Sequence, residues 1–591
     1  MRRLAWVVLW VVIAGLQSLA SSAPQPLRPG EEVQTSDNPI GRYGGNLVVA
    51  QRSEPKTLNP VTAADAPSRE VIGRLMADLI HINRASQQTE PALAKSWTVS
   101  HDGRVFTLKL RRGLRFSDGQ PFNADDVVFS FRVYLDDKIH SPQRDLLIVG
   151  GKPIEVAKVD AYTVRFTLAQ PYAAAERIFD SLAMMPRHLL EKPYQSGSFA
   201  QTWPVGVVPA EVAGLGPFRL KSYVAGQRIV LERNPYYWRA DRSKNRLPYL
   251  DELTFIFVGN EDAQALRFQA GDTDIISRVS AENYALLMKD AAARGYELFD
   301  LGPALEYNFL LFNLNDLKPP TADKLKPQQV WFADARFRQA VSAAVDREAI
   351  VRLVYAGRGA PLWGNVSPSN RLWVDQSLPH PPRSLDRARD LLRSAGFSWR
   401  DGGQLVDAQG RPVEFSIITS SSNTQRSKMA TIAQDDLSQL GMNVHVVPLE
   451  FRAVLDRVFE TYDYEVAVMG LGGGDADPNP EMNVWLSSGS THLWHLGEVK
   501  PATDWEAQLD QRMQRQMVEL QYRRRKNLYA QAQEIIAQEL PFVFLGTPDI
   551  LVGAKKSVAN FKPAVLEPSV LWNIDQLYFL PGAAGAMDGQ R

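Results

Sequence analysis

From Arg104 to Leu110 apolar Phe106, Leu108 and Leu110 alternate with polar Thr107 and Lys109, the period of a strand buried on one face. Asp118-Gly119 marks a turn, and Asn123 sits where a helix N-cap is expected. Asp125 and Asp126 follow in the first turn, where acids complement the helix dipole, and Val127, Phe131 and Tyr134 form one apolar stripe. Tyr162, Val164, Phe166 and Leu168 alternate with Thr163, Arg165 and Thr167 in a second strand. Residues 71–211 therefore read as α+β.

The second half is more regular. Ser384 caps a helix with Leu385, Ala388, Leu392 and Ala395 on one face, ended by Gly396. Strands are expected at Val413–Thr419, Asn443–Val447 and Tyr464–Gly470, with helices at Thr424–Leu440 and Phe451–Phe459 between them. That alternation predicts right-handed crossovers and a largely parallel sheet. Ligands of such sheets lie beyond the carboxyl ends of strands, here the loops Ser420–Thr424 and Leu471–Pro478. Ser421, Ser422, Asn423, Gly473, Gly474, Asp475 and Asp477 are the candidate ligand-binding residues. Asp475 and Asp477 equally suit the capping of a turn or of the next helix.

At 591 residues the chain exceeds what one core supports, and 45% hydrophobic with 22% charged residues describes an ordinary globular protein. Lys plus Arg and Asp plus Glu number 66 each, so no net field draws the surface towards phosphate, and nucleic acid is not an expected partner. Arg2-Arg3, the apolar run Leu4–Leu16 and the small residues Ser18–Ala23 have the order of a secretory signal peptide. The run is short for a bilayer core of about 30 Å. Cleavage is expected after Ala20, giving a signal peptide of residues 1–20, because cutting after Ala23 would leave Pro24 at the scissile bond. The chain has no Cys, which excludes disulfides, thiolate chemistry and a lipid-modified cysteine. A soluble periplasmic protein is the expectation, with residues 21–43, rich in Pro, Ser, Gly and charge, as a flexible leader.

Tests for catalysis find no partnered set. Ser53-Glu54-Pro55-Lys56 has Ser-x-x-Lys spacing, but Pro interrupts it and no Ser-Asp-Asn or Lys-Thr-Gly element accompanies it. His492, His495 and Glu498 lack the i, i+4 spacing of zinc hydrolases and read as surface or packing residues around Trp494. Gly470–Gly474 is glycine-rich but is followed by acid rather than Lys-Ser or Lys-Thr, so it is not a nucleotide loop. Arg523–Lys526 reads as the solvated face of a polar helix, and Asp125-Asp126 and Asp435-Asp436 as solvated or dipole-facing acids. No catalytic residue, cofactor or metal is expected.

Residues 92–127, ALAKSWTVSHDGRVFTLKLRRGLRFSDGQPFNADDV, resemble the most recognisable stretch of the family 5 extracellular solute-binding proteins, the oligopeptide and dipeptide group. Gly214–Leu220, Leu231–Trp238, Leu247–Asp251, Asp334–Glu348 and Asp386–Phe397 continue the likeness in order, over roughly 45–575. The resemblance implies an α/β fold: a two-lobed periplasmic binding protein clamp with an extra inserted α+β subdomain. Lobe I would comprise 44–70, 212–300 and 547–582, the inserted subdomain 71–211, and lobe II 301–546. It implies a monomer that binds a peptide or other small solute between lobes and delivers it to ABC permease subunits in the inner membrane, without chemistry on the cargo. Peptide-binding members carry a Gly-Trp pair and then an Asp that holds the ligand's amine; Met469–Pro478 lacks that Trp, and Asp475 is the matching acid. Other relatives bind metal complexes, haem, opines or oligosaccharides, so a non-peptide solute or a sensory role is the alternative.

Overall fold

The computed structural model describes residues 26–180, 182–472 and 476–582. The expected signal peptide lies outside them. Among the described residues no helix is long and apolar enough to cross a membrane.

The alternation at Val105–Leu110 places Phe106, Leu108 and Leu110 in the core and leaves Lys109 exposed. This strand pairs antiparallel with Ala94–Val99 on one side and Thr163–Thr167 on the other, and Glu155–Asp160 completes a four-stranded sheet. Helix Ala124–Leu135 begins with a capping box: the Asn123 side chain accepts from the Asp125 amide at 2.7 Å, and Asp126 accepts from the Asn123 amide at 2.9 Å. Its apolar stripe packs the sheet, with Phe131 and Phe166 rings 4.9 Å apart.

A second sheet has 12 strands. Its organising element is the 14-residue strand Phe542–Lys555, which at about 3.3 Å per residue spans about 45 Å. Residues 542–546 pair antiparallel with Tyr307–Phe312, whereas 549–555 pair antiparallel with Tyr296–Pro303. The chain therefore passes between the two halves of the sheet at 303–306 and again at 546–549. Apolar side chains follow the same division. One large core is drawn mainly from residues 47–275 with 552–577, a second mainly from 305–545 with the fully buried Trp485 and Trp494, and a small third gathers Phe268, Tyr284, Tyr296 and Leu551.

In the second half the strands are Glu414–Ser420, Asn443–Leu449 and Val466–Leu471, and the helix between the first two is Thr424–Ser438. The parallel character expected there is confined to these three strands. Val466–Leu471 turns antiparallel against Tyr307–Phe312, because the chain reaches that strand from the crossing rather than through a helix.

Residues 26–43 correct the expectation of a flexible leader. Glu31 makes a double contact with Arg246, 2.8 Å to each terminal nitrogen, with both side chains shut off from water. Gln34–Thr35 adds a short parallel strand to Arg239–Ala240. Composition without periodicity signalled no element; it carried no sign that one carboxylate would meet a buried arginine.

Candidate functional site

The carboxyl ends of the three parallel strands come together as the sheet rule requires. The Ser421 amide donates to the Leu449 carbonyl at 2.7 Å, tying the end of one strand to its neighbour. Ser421 and Ser422 are exposed, with Ser422 Oγ 2.9 Å from Ser420 Oγ. Asn423 is committed locally, because its Oδ1 accepts from the Arg426 amide at 2.9 Å and caps the helix. Arg426 itself points back across the strand ends. Its Nε donates to Asn308 Oδ1 at 3.0 Å, and it lies against Gly470, where a Cβ would collide with the guanidinium and stand 2.6 Å from Asn308 Oδ1.

Beside Arg426, at the first crossing, stands Glu306. Burial pushes its carboxyl up, opposed by the charges of Arg426 and Arg278. Burial in turn lowers Arg426, opposed by Glu306 and Tyr355. Arg278, from the first half, has a left-handed backbone (φ 54°) and reaches Glu567 at 3.5 Å. These three side chains bring both halves of the molecule to one charged floor.

Asp477, read from sequence either as a ligand residue or as the cap of a turn, takes the second role here: its carboxylate meets the Arg525 guanidinium and accepts from the Asn479 amide at 2.9 Å. Arg525 belongs to the run read as a solvated face; Arg523 and Arg524 are exposed, while Arg525 turns inward. Gly473, Gly474 and Asp475 lie outside the described residues. On either side of them, Gly472 has open space around it, and the Ala476 carbonyl accepts from Asn370 Nδ2 at 2.8 Å.

A cavity of about 560 Å³ was not anticipated from sequence. It opens between helix Ala66–Leu75, the hairpin around 78–91 and the segment 567–575, with Arg278 on its rim. A second cavity of about 360 Å³ adjoins it and shares Glu70, Arg278 and Glu567. The wall of the first is charged and largely self-paired. Asp180 accepts from Arg84 at 3.0 and 3.1 Å and from the Ile82 amide at 2.7 Å; burial opposes its ionisation, but Arg84 and His81 outweigh burial and keep it ionised. Asp78 next to it is pushed well up, by burial first and by the Asp180 charge second, with Arg84 opposing. Arg239 pairs with Asp575 at 2.7 Å. Nε of Arg74, Arg84 and Arg239 nonetheless lies buried with no hydrogen-bond partner among the described residues. Such a wall offers donors to an acceptor-rich solute. Its residues are scattered over some 500 positions, and no local pattern announces them.

Two large apolar cores, joined by a pair of chain crossings with cavities and charged groups beside them, define a two-lobed solute-binding clamp. The model for bacterial extracellular solute-binding proteins, family 5 Middle, matches residues 88–492, and the chain belongs to that family, which consists of substrate-binding proteins of ABC transporters. A probable ABC transporter-binding protein of Deinococcus radiodurans is 26% identical over 86% of this chain and 87% of its own length. The oligopeptide-binding protein AppA of Bacillus subtilis is 25% identical over 88% and 89%. The crystal structure of NikA from Brucella suis, in complex with Fe(III)-EDTA, shares the fold with a TM-score of 0.74 at 20% identity, covering 90% of this chain and all of that one.

Proposed function

We propose that this protein receives a peptide-like solute in the cleft between lobe I (44–70, 212–300 and 547–582, carrying the inserted subdomain 71–211) and lobe II (301–546). Closure about 303–306 and 546–549 then presents it to an ABC permease of the inner membrane. The observation that carries this reading is the meeting of Arg278 from lobe I and Arg426 from lobe II, whose charges both act on Glu306 at the first crossing and place donors where a solute between the lobes would lie. A peptide backbone supplies acceptors for such groups whatever its side chains, and water expelled on closure strengthens each bond made. The likeness to an oligopeptide-binding relative supports the same cargo. The protein acts as a monomer, exported by loss of residues 1–20, performs no chemistry on its solute and does not take nucleic acid.

Three measurements on purified mature protein test this, one of them a thermal melt with and without the selected peptide. Native mass spectrometry against a mixed peptide pool identifies what is bound, and small-angle scattering with the selected peptide follows closure. A bound peptide with a smaller radius of gyration and a higher melting temperature is expected. Tight binding without any change in shape or melting would sink the clamp. Retention of only a metal chelate or a sugar would sink the cargo.

A further inference from the structure

Between helices Met482–Trp485 and Asp504–Val518 the chain runs through residues 486–503 without a helix or strand. Connections of that length are uncommon unless something fastens them. His492 lies at the centre of this one, wholly buried, its ring 3.8 Å from that of Trp494. Its Nδ1 stands 3.1 Å from the Val484 carbonyl, and in the tautomer that donates there Nε2 presents a lone pair. Nε2 faces two carboxylates, Glu498 Oε2 at 3.3 Å and Glu506 Oε1 at 3.8 Å, whose side chains are 5% and 3% exposed. On the far side of Glu498, its Oε1 is 3.3 Å from Nδ1 of His495. His492 Nε2 and both oxygens of Glu498 are buried with no hydrogen-bond partner among the described residues.

We propose that His492, Glu498 and Glu506 form a structural divalent-metal site of lobe II, with water as the fourth donor, and that Zn²⁺ is the ion it takes. The donor atoms of the first three all lie within 4.8 Å of one another. Donors about 2.0–2.1 Å from a tetrahedral Zn²⁺ stand about 3.3–3.4 Å apart, close to the 3.3 Å and 3.8 Å contacts here and longer than hydrogen bonds between the same groups. Two buried carboxylates need two positive charges, which one divalent ion supplies. The outer contacts are those a metal ligand uses. The Val484 carbonyl faces Nδ1 of His492, and Trp494 Nε1 at 2.9 Å and Thr503 Oγ1 at 2.8 Å hold Glu506. Mixed nitrogen and oxygen donors favour Zn²⁺ over Ca²⁺ or Mg²⁺, which take oxygen alone. A comparable group, Asp78, His81 and Asp180, is already neutralised by Arg84 and carries no such argument.

The test uses the full mature chain without a histidine tag, stripped with chelator, reloaded with Zn²⁺, gel-filtered and analysed for metal. One retained zinc per chain, a higher melting temperature than the stripped protein, and a four-coordinate Co²⁺ spectrum on substitution are expected. Glu498→Gln and His492→Gln should each weaken retention by about 100-fold or more, with Glu498→Gln keeping its far-ultraviolet circular dichroism. Wild-type protein that retains no zinc, gains no thermal stability from it and gives no such Co²⁺ spectrum overturns the site, and that reading needs no variant to fold. A folded Glu498→Gln protein retaining zinc as wild type does overturns it equally.

Discussion

Asp477 and Arg525 face each other in a two-point contact, 2.7 Å between Oδ2 and Nη1 and 2.6 Å between Oδ1 and Nη2, with side chains only 5% and 6% exposed. The pair fastens the end of the glycine-rich loop to helix Tyr522–Glu539, and Arg525 also donates to Asn479 Oδ1 at 2.9 Å. Removing one partner strands the other charge out of water, which typically costs about 3–5 kcal/mol. Asp477→Ala and Arg525→Ala are each expected to lower stability by about that amount. The double variant should fall well short of the sum, since it leaves no orphan charge. Urea unfolding of the four proteins decides it; additive losses would mean the pair is not coupled.

Gly216, in the Gly214–Leu220 segment, lies so close to helix Ala66–Leu75 that its amide donates to the Leu75 carbonyl at 2.9 Å. A Cβ there would stand 2.5 Å from the Leu75 carbonyl carbon, and a helix backbone cannot move aside as a side-chain tip can. Gly216→Ala is expected to destabilise by about 1–3 kcal/mol. Gly73, exposed within that same helix, has nothing within 4 Å of where an alanine methyl would sit, so Gly73→Ala should instead stabilise by about 0.5–1 kcal/mol. Thermal melts of opposite sign are the check, and a loss of stability in both would refute the steric account.

Asp549 stands at the second crossing beside Asp300, which Arg358 bonds at 2.6 Å. Burial, reinforced by the Asp300 charge and opposed by Arg358, raises the Asp549 carboxyl to about 6. The folded chain thus holds this proton more tightly than the unfolded chain, where an Asp titrates near about 3.9. Stability from this group is fully present below about pH 4 and is lost as pH rises through about 6. Asp549→Asn should therefore raise stability at pH 7, by about 1 kcal/mol once solvent screening is allowed for, and leave it unchanged at pH 4. Denaturant midpoints at the two pH values test this; an equal gain at both would show that charge is not the cause.

Local order was legible where the signal is local. The alternation at Phe106, Leu108 and Leu110 and the cap at Asn123 appear as read, because strand period and capping involve neighbours in the chain. The strand Phe542–Lys555 was not legible, since it is apolar along most of its length and its partners lie 185 or more residues away. Charges were the hardest to read. Arg525 and Arg524 are adjacent and chemically alike, yet only helix phase, fixed by packing, turns one inward and the other to water. The first-lobe cavity is assembled from segments as distant as Glu70 and Glu567, so its wall exists only once the chain has folded.

With Asp477 committed to Arg525, we propose that Asp475, the other acid between Gly472 and Pro478, meets the ligand. The strand before it ends at Leu471 on the edge where Ser421 and Ser422 are exposed, the edge that holds ligands in parallel sheets. An ammonium group of a peptide would satisfy such an acid by a charge-assisted hydrogen bond as the cleft closes. Truncating one partner of a buried pair of this kind costs about 2–5 kcal/mol, or some 30- to 5,000-fold in affinity. Asp475→Ala is expected to lose free-amine peptides by that factor while keeping its melting temperature, and wild-type protein to bind an N-acetylated peptide comparably poorly. Titration calorimetry of both proteins with both peptides separates the outcomes. If Asp475→Ala binds the free-amine peptide as tightly as wild type, the amine is not read here, and a neutral or anionic solute facing Arg426 and Arg278 becomes the better assignment.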